Sequence, residues 1–322
     1  MAGTSLTAIE ATDRADWTRA ESVFAFSIFP VVMTGAIGGC ILLIEHGVNP
    51  GAAFLATLLP SYAAVIAGER LFPHVPGWNR SQDDVGTDSA HFISIIASGA
   101  LYNPALALIG ASLGAWLSLQ FGATVWPTAW PLVGQLALTL VLAELGTYWV
   151  HRFQHEWPLL WRFHATHHSA TRLYWLNAAR FHFLDIFMNT IPIAIPLIAL
   201  GAPPEIFILT ALFSTVHGIF QHANMKLRLG PLNWIFSMAE LHRWHHSKLM
   251  QESNTNYGQN LSVWDTVFGT RYLPMDREPP NDIGLTWPVE FPMTFAAQVL
   301  APFRWKSIVK DTVVQRTPDL PA

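Results

Sequence analysis

The sequence predicts an all-α, multi-span membrane helical bundle, with about four long spans plus a helical hairpin. A cytoplasmic, histidine-rich helical cap holding a di-metal site completes the predicted architecture. Three observations carry this. First, 51% of the 322 residues are hydrophobic and only 12% charged, against about 25% charged in an ordinary soluble domain. Second, several apolar runs are long enough to cross about 30 Å of hydrocarbon at about 1.5 Å per helical residue. Third, eleven of the fourteen histidines fall between His151 and His246, most of them in clusters with helical spacing.

The elements follow in order. The start of the chain is polar with mixed charges and lacks the basic-then-apolar layout of a cleaved signal peptide. Val23 to Ile44 is the first apolar run, and Ala52 to Gly68 the second. Pro60 is expected to kink the second run without ending it, because membrane helices tolerate internal proline. A polar loop leads to the third run, Phe92 to Leu119, and a short turn to the fourth, Leu132 to Val150. Phe183 to Leu200 and Ile206 to Phe220, joined by a Gly-Ala-Pro-Pro turn, form the hairpin. After His222 the chain is polar, with Met293 to Leu300 a candidate for the membrane surface. The expected divisions are a polar segment over 1–22, transmembrane helices over 23–130, a metal-binding domain over 131–272 and a cytoplasmic tail over 273–322.

Charge fixes the orientation. If all six runs cross and the N-terminus is cytoplasmic, the cytoplasmic segments are 1–22, 69–91, 151–182 and 221–322, and all 18 Lys and Arg lie within them. That is the positive-inside pattern. It puts every histidine cluster on one face, so the site is a cap on the membrane. A net charge of -4 gives no reason to expect nucleic acid. The single cysteine, Cys40, excludes an intrachain disulfide framework and a cysteine-ligated metal centre.

His151 and His155 stand i, i+4; His164, His167 and His168 stand i, i+3, i+4; and His242, His245 and His246 repeat that spacing. On helices these offsets place the rings on one face. Eight imidazoles exceed what one metal uses, and two metals would each take four or five nitrogens with open positions left for chemistry. His222 and His182 are candidates to complete the ligand set, and His217, five residues before His222, is a weaker one. His46, His74 and His91 read as turn or loop residues. Glu144, Tyr148, His151 and His155 form one stripe, and Glu144 is the only charge in its apolar run. An intramembrane carboxylate needs a partner, so Glu144 is expected to accept a ring N–H from a metal-bound histidine. Asp265 is expected either to orient a ligand histidine or to cap a turn, with Trp264 and Phe268 packing as a lid.

Residues from about 135 to 272 resemble the sterol desaturase and fatty acid hydroxylase superfamily of integral-membrane, histidine-box di-iron oxygenases. The motifs are Glu144-Leu-Gly-Thr-Tyr-Trp-Val-His151-Arg-Phe-Gln-His155, His164-Ala-Thr-His167-His168, Gln221-His-Ala-Asn224, Leu241-His-Arg-Trp-His-His-Ser247, Asn256-Tyr-Gly258 and Val263-Trp-Asp-Thr-Val-Phe-Gly-Thr270, in the family's order. One departure is Phe183 after His182, where the family often has proline. The resemblance implies two iron ions, O2 as co-substrate and oxidation of a C–H bond in a membrane lipid, with hydroxylation and desaturation both open. Trp149, Phe153, Trp157, Trp161, Phe163, Tyr174 and Trp175 are candidates to line a dry lipid slot or to form an interfacial belt.

The reaction needs two electrons per O2, and no redox domain is visible in the chain. A separate donor, cytochrome b5- or ferredoxin-like, is therefore expected. Arg152, Arg162, Arg172, Lys226, Arg243 and Lys248 are candidates for its basic docking face, against the plainer reading of positive-inside bias. A membrane zinc hydrolase is the alternative function, though no His-Glu-x-x-His pattern is present. A bis-histidine haem protein would place its histidines within adjacent spans, and a metal transporter near mid-membrane.

Overall fold

The computed structural model describes residues 17–122, 125–288 and 290–316. The expected polar segment over 1–22 lies mostly outside them. The described chain is helical throughout, with three isolated β-bridges.

Helix α1 (Arg19–Glu45) starts from a capping box: Thr18 Oγ1 accepts the Glu21 N–H at 3.2 Å, and Glu21 Oε2 accepts the Thr18 N–H at 2.7 Å. Helix α2 (Pro50–Leu71) is capped by Asn49 and runs through Pro60 without a break. Helix α3 (Val85–Phe121) begins seven residues before the apolar run, because its polar first turns find buried partners. Asp88 accepts from Arg180 and Tyr174, and the His91 ring bonds the Phe181 carbonyl and Gln298. His91, expected in a loop, is therefore a buried helix residue. Helix α4 (Leu132–Glu156) is followed at once by α5 (Pro158–His168), with Trp157 closing one and opening the other. Helix α6 (Phe183–Leu200) ends on Gly201 at φ +83°, and α7 (Pro204–His222) returns the chain. Short helices α8 (Ala239–His245), α9 (Met250–Ser253), α10 (Val263–Phe268) and α11 (Phe295–Leu300), then α12 (Trp305–Arg316), build the cap.

α1, α2, α3, α4 and α6 are each long and apolar enough to cross a membrane. α7 is not among them; it is the buried centre of the bundle, packed against α1, α2 and α4. Its Leu209, Leu212, Phe213, Val216 and Phe220 join Phe29 and Met33 of α1 and Leu136 of α4 in the main core. Lipid tails are as apolar as the helices, so close backbone packing must supply the cohesion. Small residues allow it: a Cβ on Gly110 would sit 2.7 Å from Ile198, and one on Gly146 would sit 2.4 Å from Pro192. α6 is thereby locked against both α3 and α4.

The polar segments meet at one end of this bundle. Arg172 forks onto Asp84, Lys226 pairs with Glu21, and Glu69 accepts the Trp175 and Asn224 backbone N–H groups. Breaking the buried Arg172–Asp84 pair by removing one partner would cost about 3–5 kcal/mol. The tail over 273–322 is also more than a loose extension. Phe291, Ala301 and Trp305 pack on Ala165 of α5, and Gln298 is fully buried against His91 and Ser169. In the segment considered for the membrane surface, Met293 and Leu300 are exposed, while Gln298 ties the helix into the cap.

Candidate metal centre

The sharp corner at Trp157 folds α5 back onto the end of α4, which brings His151 and His155 against His164 and His168. α8 supplies His245 to the same pocket. The five rings offer ligand nitrogens that all lie within 4.8 Å of one another. His167, His222, His242 and His246 form a second group under the same limit. Within the groups Nε2 faces Nε2: His151 stands 3.1 Å from both His164 and His245, and His242 stands 2.9 Å from His222 and 3.0 Å from His246. The two groups abut, since His168 stacks on His246 with centroids 4.5 Å apart. The i, i+3, i+4 spacing thus divides its ligands, with His164 and His168 turning to one pocket and His167 to the other.

Nine of the ten expected ligands are gathered in this way. His182 is the exception, and the reason is local. Its Nδ1 accepts the Leu184 N–H as the N-cap of α6, its Nε2 faces the Val299 carbonyl at 3.2 Å, and Phe163 and Phe183 enclose the ring. His217 also stays outside, among Phe29, Phe213 and Phe236.

The groups behind the rings differ from those expected. Glu144 bonds no histidine; its carboxylate accepts the backbone N–H and side-chain amide of Asn260 at 2.9 and 3.2 Å. The carboxylate that does hold a ligand is Asp185, in the first turn of α6, which accepts from His164 Nδ1 at 2.8 Å. Gln154 and Asn189 bond the other oxygen of Asp185. His151 Nδ1 donates to the Tyr257 carbonyl and His245 Nδ1 to the Thr255 carbonyl, each at 2.7 Å. His155 Nδ1 faces Asn254 at 3.2 Å, and His222 Nδ1 faces Asn177 at 2.9 Å. Asp265 acts one step back, accepting the Tyr257 and Gly258 N–H groups and so fixing the loop whose carbonyl holds His151. Tyr148 points its hydroxyl to Thr270, which in turn bonds Asp265; it does not reach the histidine pockets.

With Nδ1 of His151, His164 and His245 donating outward, their inner Nε2 atoms are left as acceptors. Burial first, and neighbouring imidazoles second, hold His167, His168, His242, His245 and His246 well below the usual histidine range. They are therefore neutral, which is the metal-binding form. His155 Nε2 and His168 Nε2 are buried with no hydrogen-bond partner. Neutral, all-nitrogen pockets with orphaned donors fit borderline metals such as iron, zinc, copper or nickel.

Of the aromatic residues considered for a lipid slot, Trp161 contacts the ligands, 5.3 Å from His155 and 5.5 Å from His168. Trp149, Phe153 and Trp157 make successive ring contacts along α4, and Phe268 meets Trp149 edge-on. Half of the candidate basic docking face is buried: Arg172, Lys226 and Arg243 lie inside, the last donating to the Ala223 and Met225 carbonyls. Arg152 pairs with Glu156 and Lys248 with Asp282.

Fold and site together define a multi-pass membrane protein with a histidine-box metal site. Residues 136–270 match the fatty acid hydroxylase family. An ornithine lipid hydroxylase of Rhizobium tropici is 39% identical over 79% of this chain and 76% of its own length. Alkylglycerol monooxygenases are similar too: that of Xenopus tropicalis is 30% identical over 50% of this chain, and that of Danio rerio 29% over 68%. The chain spans only 35% and 50% of those two proteins. No solved structure matches. The chain belongs to the fatty acid hydroxylase family and is a membrane oxidoreductase.

Proposed function

We propose that this protein is a di-iron, O2-dependent hydroxylase of a membrane lipid, with the metals on the cytoplasmic face and electrons supplied by a separate carrier. The observation that carries it is the pair of adjoining all-histidine groups, five and four rings, at one end of an apolar bundle. His151, His155, His164, His168 and His245 would hold one iron, and His167, His222, His242 and His246 the other. Bound iron would supply O2 activation for the overall reaction R–H + O2 + 2 e⁻ + 2 H⁺ → R–OH + H2O.

The chain's own residues set the conditions. Asp185, Tyr257, Thr255, Asn254 and Asn177 fix ring orientation, as groups behind metal ligands do. Burial excludes bulk water, and the apolar helices below give an acyl chain a route from the bilayer. The family and the relatives' hydroxylase and monooxygenase activities favour hydroxylation over desaturation. The long match to an ornithine lipid hydroxylase makes an ornithine-containing lipid the first substrate to try.

Metal analysis of anaerobically purified protein should find about two irons per chain, and incubation with ornithine lipid, reductant and O2 should add one oxygen to the lipid. A single zinc with no oxidised product would overturn the proposal.

A further inference from the structure

The geometry points to an electron-delivery surface on the cap: an acidic one-electron carrier docks on the exposed basic start of α12 and reduces the metals through Trp287, Trp305 and Trp161. This rests on the oxygenase reading above, which requires two electrons per O2 from outside the chain.

Packed side chains connect solvent to ligands. Trp161 packs on His155 and His168, both in the five-histidine group. It also packs against the cluster of Ala165, Phe291, Ala301 and Trp305. Trp305 is buried, and its ring lies 5.8 Å from that of Trp287, which is 41% exposed. Electron tunnelling weakens steeply with the gap to be crossed, and close packing shortens each gap. The indoles act as a medium and are not themselves oxidised. Each docking delivers one electron, and two deliveries complete the balance written above.

Charge selects the partner. Arg304, Lys306 and Lys310 are all exposed around Trp305 in sequence, so an acidic carrier is attracted to this rim. The cap offers a second aromatic approach, in which Arg277 lies over buried Trp244 and Tyr272 packs beside it. There Arg277 is already paired with Glu252, and Asp276 and Glu278 are its near neighbours in sequence. That face carries more acid than base and is the poorer match for the same partner.

The test uses the full-length iron-loaded enzyme in neutral detergent, with reduced acidic [2Fe–2S] ferredoxin as the probe and dithionite as a small reductant. Stopped-flow reduction of the oxidised metals is the readout. Trp287→Leu should slow ferredoxin-driven reduction at least tenfold and leave the dithionite rate unchanged. Lys306→Glu with Lys310→Glu should raise the ferredoxin KM at least tenfold at low salt, with the difference fading in high salt. Arg277→Ala should match the unsubstituted enzyme. Equal ferredoxin rates in all forms, or slowing by Arg277→Ala alone, would overturn the assignment. So would an effect of the charge reversal seen only in vesicles of anionic lipid, which would mark the rim as a headgroup contact. If the unsubstituted enzyme forms no oxidised lipid even with dithionite and O2, the oxygenase reading itself fails.

Discussion

The two histidine groups are neighbours built from the same residue type, yet they are held differently. In the five-ring group, four outer nitrogens are fixed: His151 by the Tyr257 carbonyl, His245 by that of Thr255, His155 by Asn254 and His164 by Asp185. In the four-ring group only His222 has such a partner, Asn177, and the Nδ1 atoms of His167, His242 and His246 have none. Packing takes over there; Phe181 lies flat on His167 with centroids 4.0 Å apart. One pocket is preorganised by hydrogen bonds, one of them to a carboxylate that fixes the His164 ring. The other relies on close packing and on the metal. If each group holds a metal, as proposed, the two sites are expected to differ in affinity.

The largest expected effect comes from removing a ligand. His245→Ala and His242→Ala should each lose one metal per chain and lower activity by more than about 100-fold; metal analysis that finds both retained would break the assignment of ligands to groups. Asp185→Asn should weaken metal retention in the five-ring group by about 10–100-fold, whereas Asn177→Leu, which removes a neutral partner, should cost the four-ring group less. Equal losses would erase the contrast. Timed chelation should empty the four-ring group first, giving a stable one-metal species by spectroscopy. The smallest effect is on pH. The depressed histidines outside the spans stay neutral when folded, while the unfolded chain takes up protons near 6.5. Metal-free protein should thus keep its stability above about pH 7 and lose it progressively as pH falls through about 6.5. Thermal melting across that range measures it.

Much of this was legible in the sequence because it is periodic. Long apolar runs are spans whatever they pack against, and i, i+3, i+4 histidines share a helix face. The single residues behind the rings leave no such signature. Asn177, Asn254, Thr255 and Tyr257 act through one amide or one carbonyl each. Asp185 did carry a signal, a lone carboxylate in an apolar run; Glu144 carries the same one and binds Asn260 instead. Spacing identifies a buried carboxylate without naming its partner. His182 shows the converse error, since a histidine beside the site serves equally well as a helix cap. Of the basic residues considered for a face, Arg172 and Lys226 are struts that tie the cap to the starts of α3 and α1.

The single residue shared by α4 and α5 makes the interval from His151 to His168 behave as a ruler. A helix turns about 100° per residue, so one residue added or removed at Trp157 would swing His164 and His168 away from His151 and His155. Insertions at the exposed bend over 275–276, between α10 and α11, only lengthen a loop. In a library of length variants, survivors should therefore be absent from the corner and frequent in that loop, a pattern that reports the five-ring pocket without any assay of chemistry.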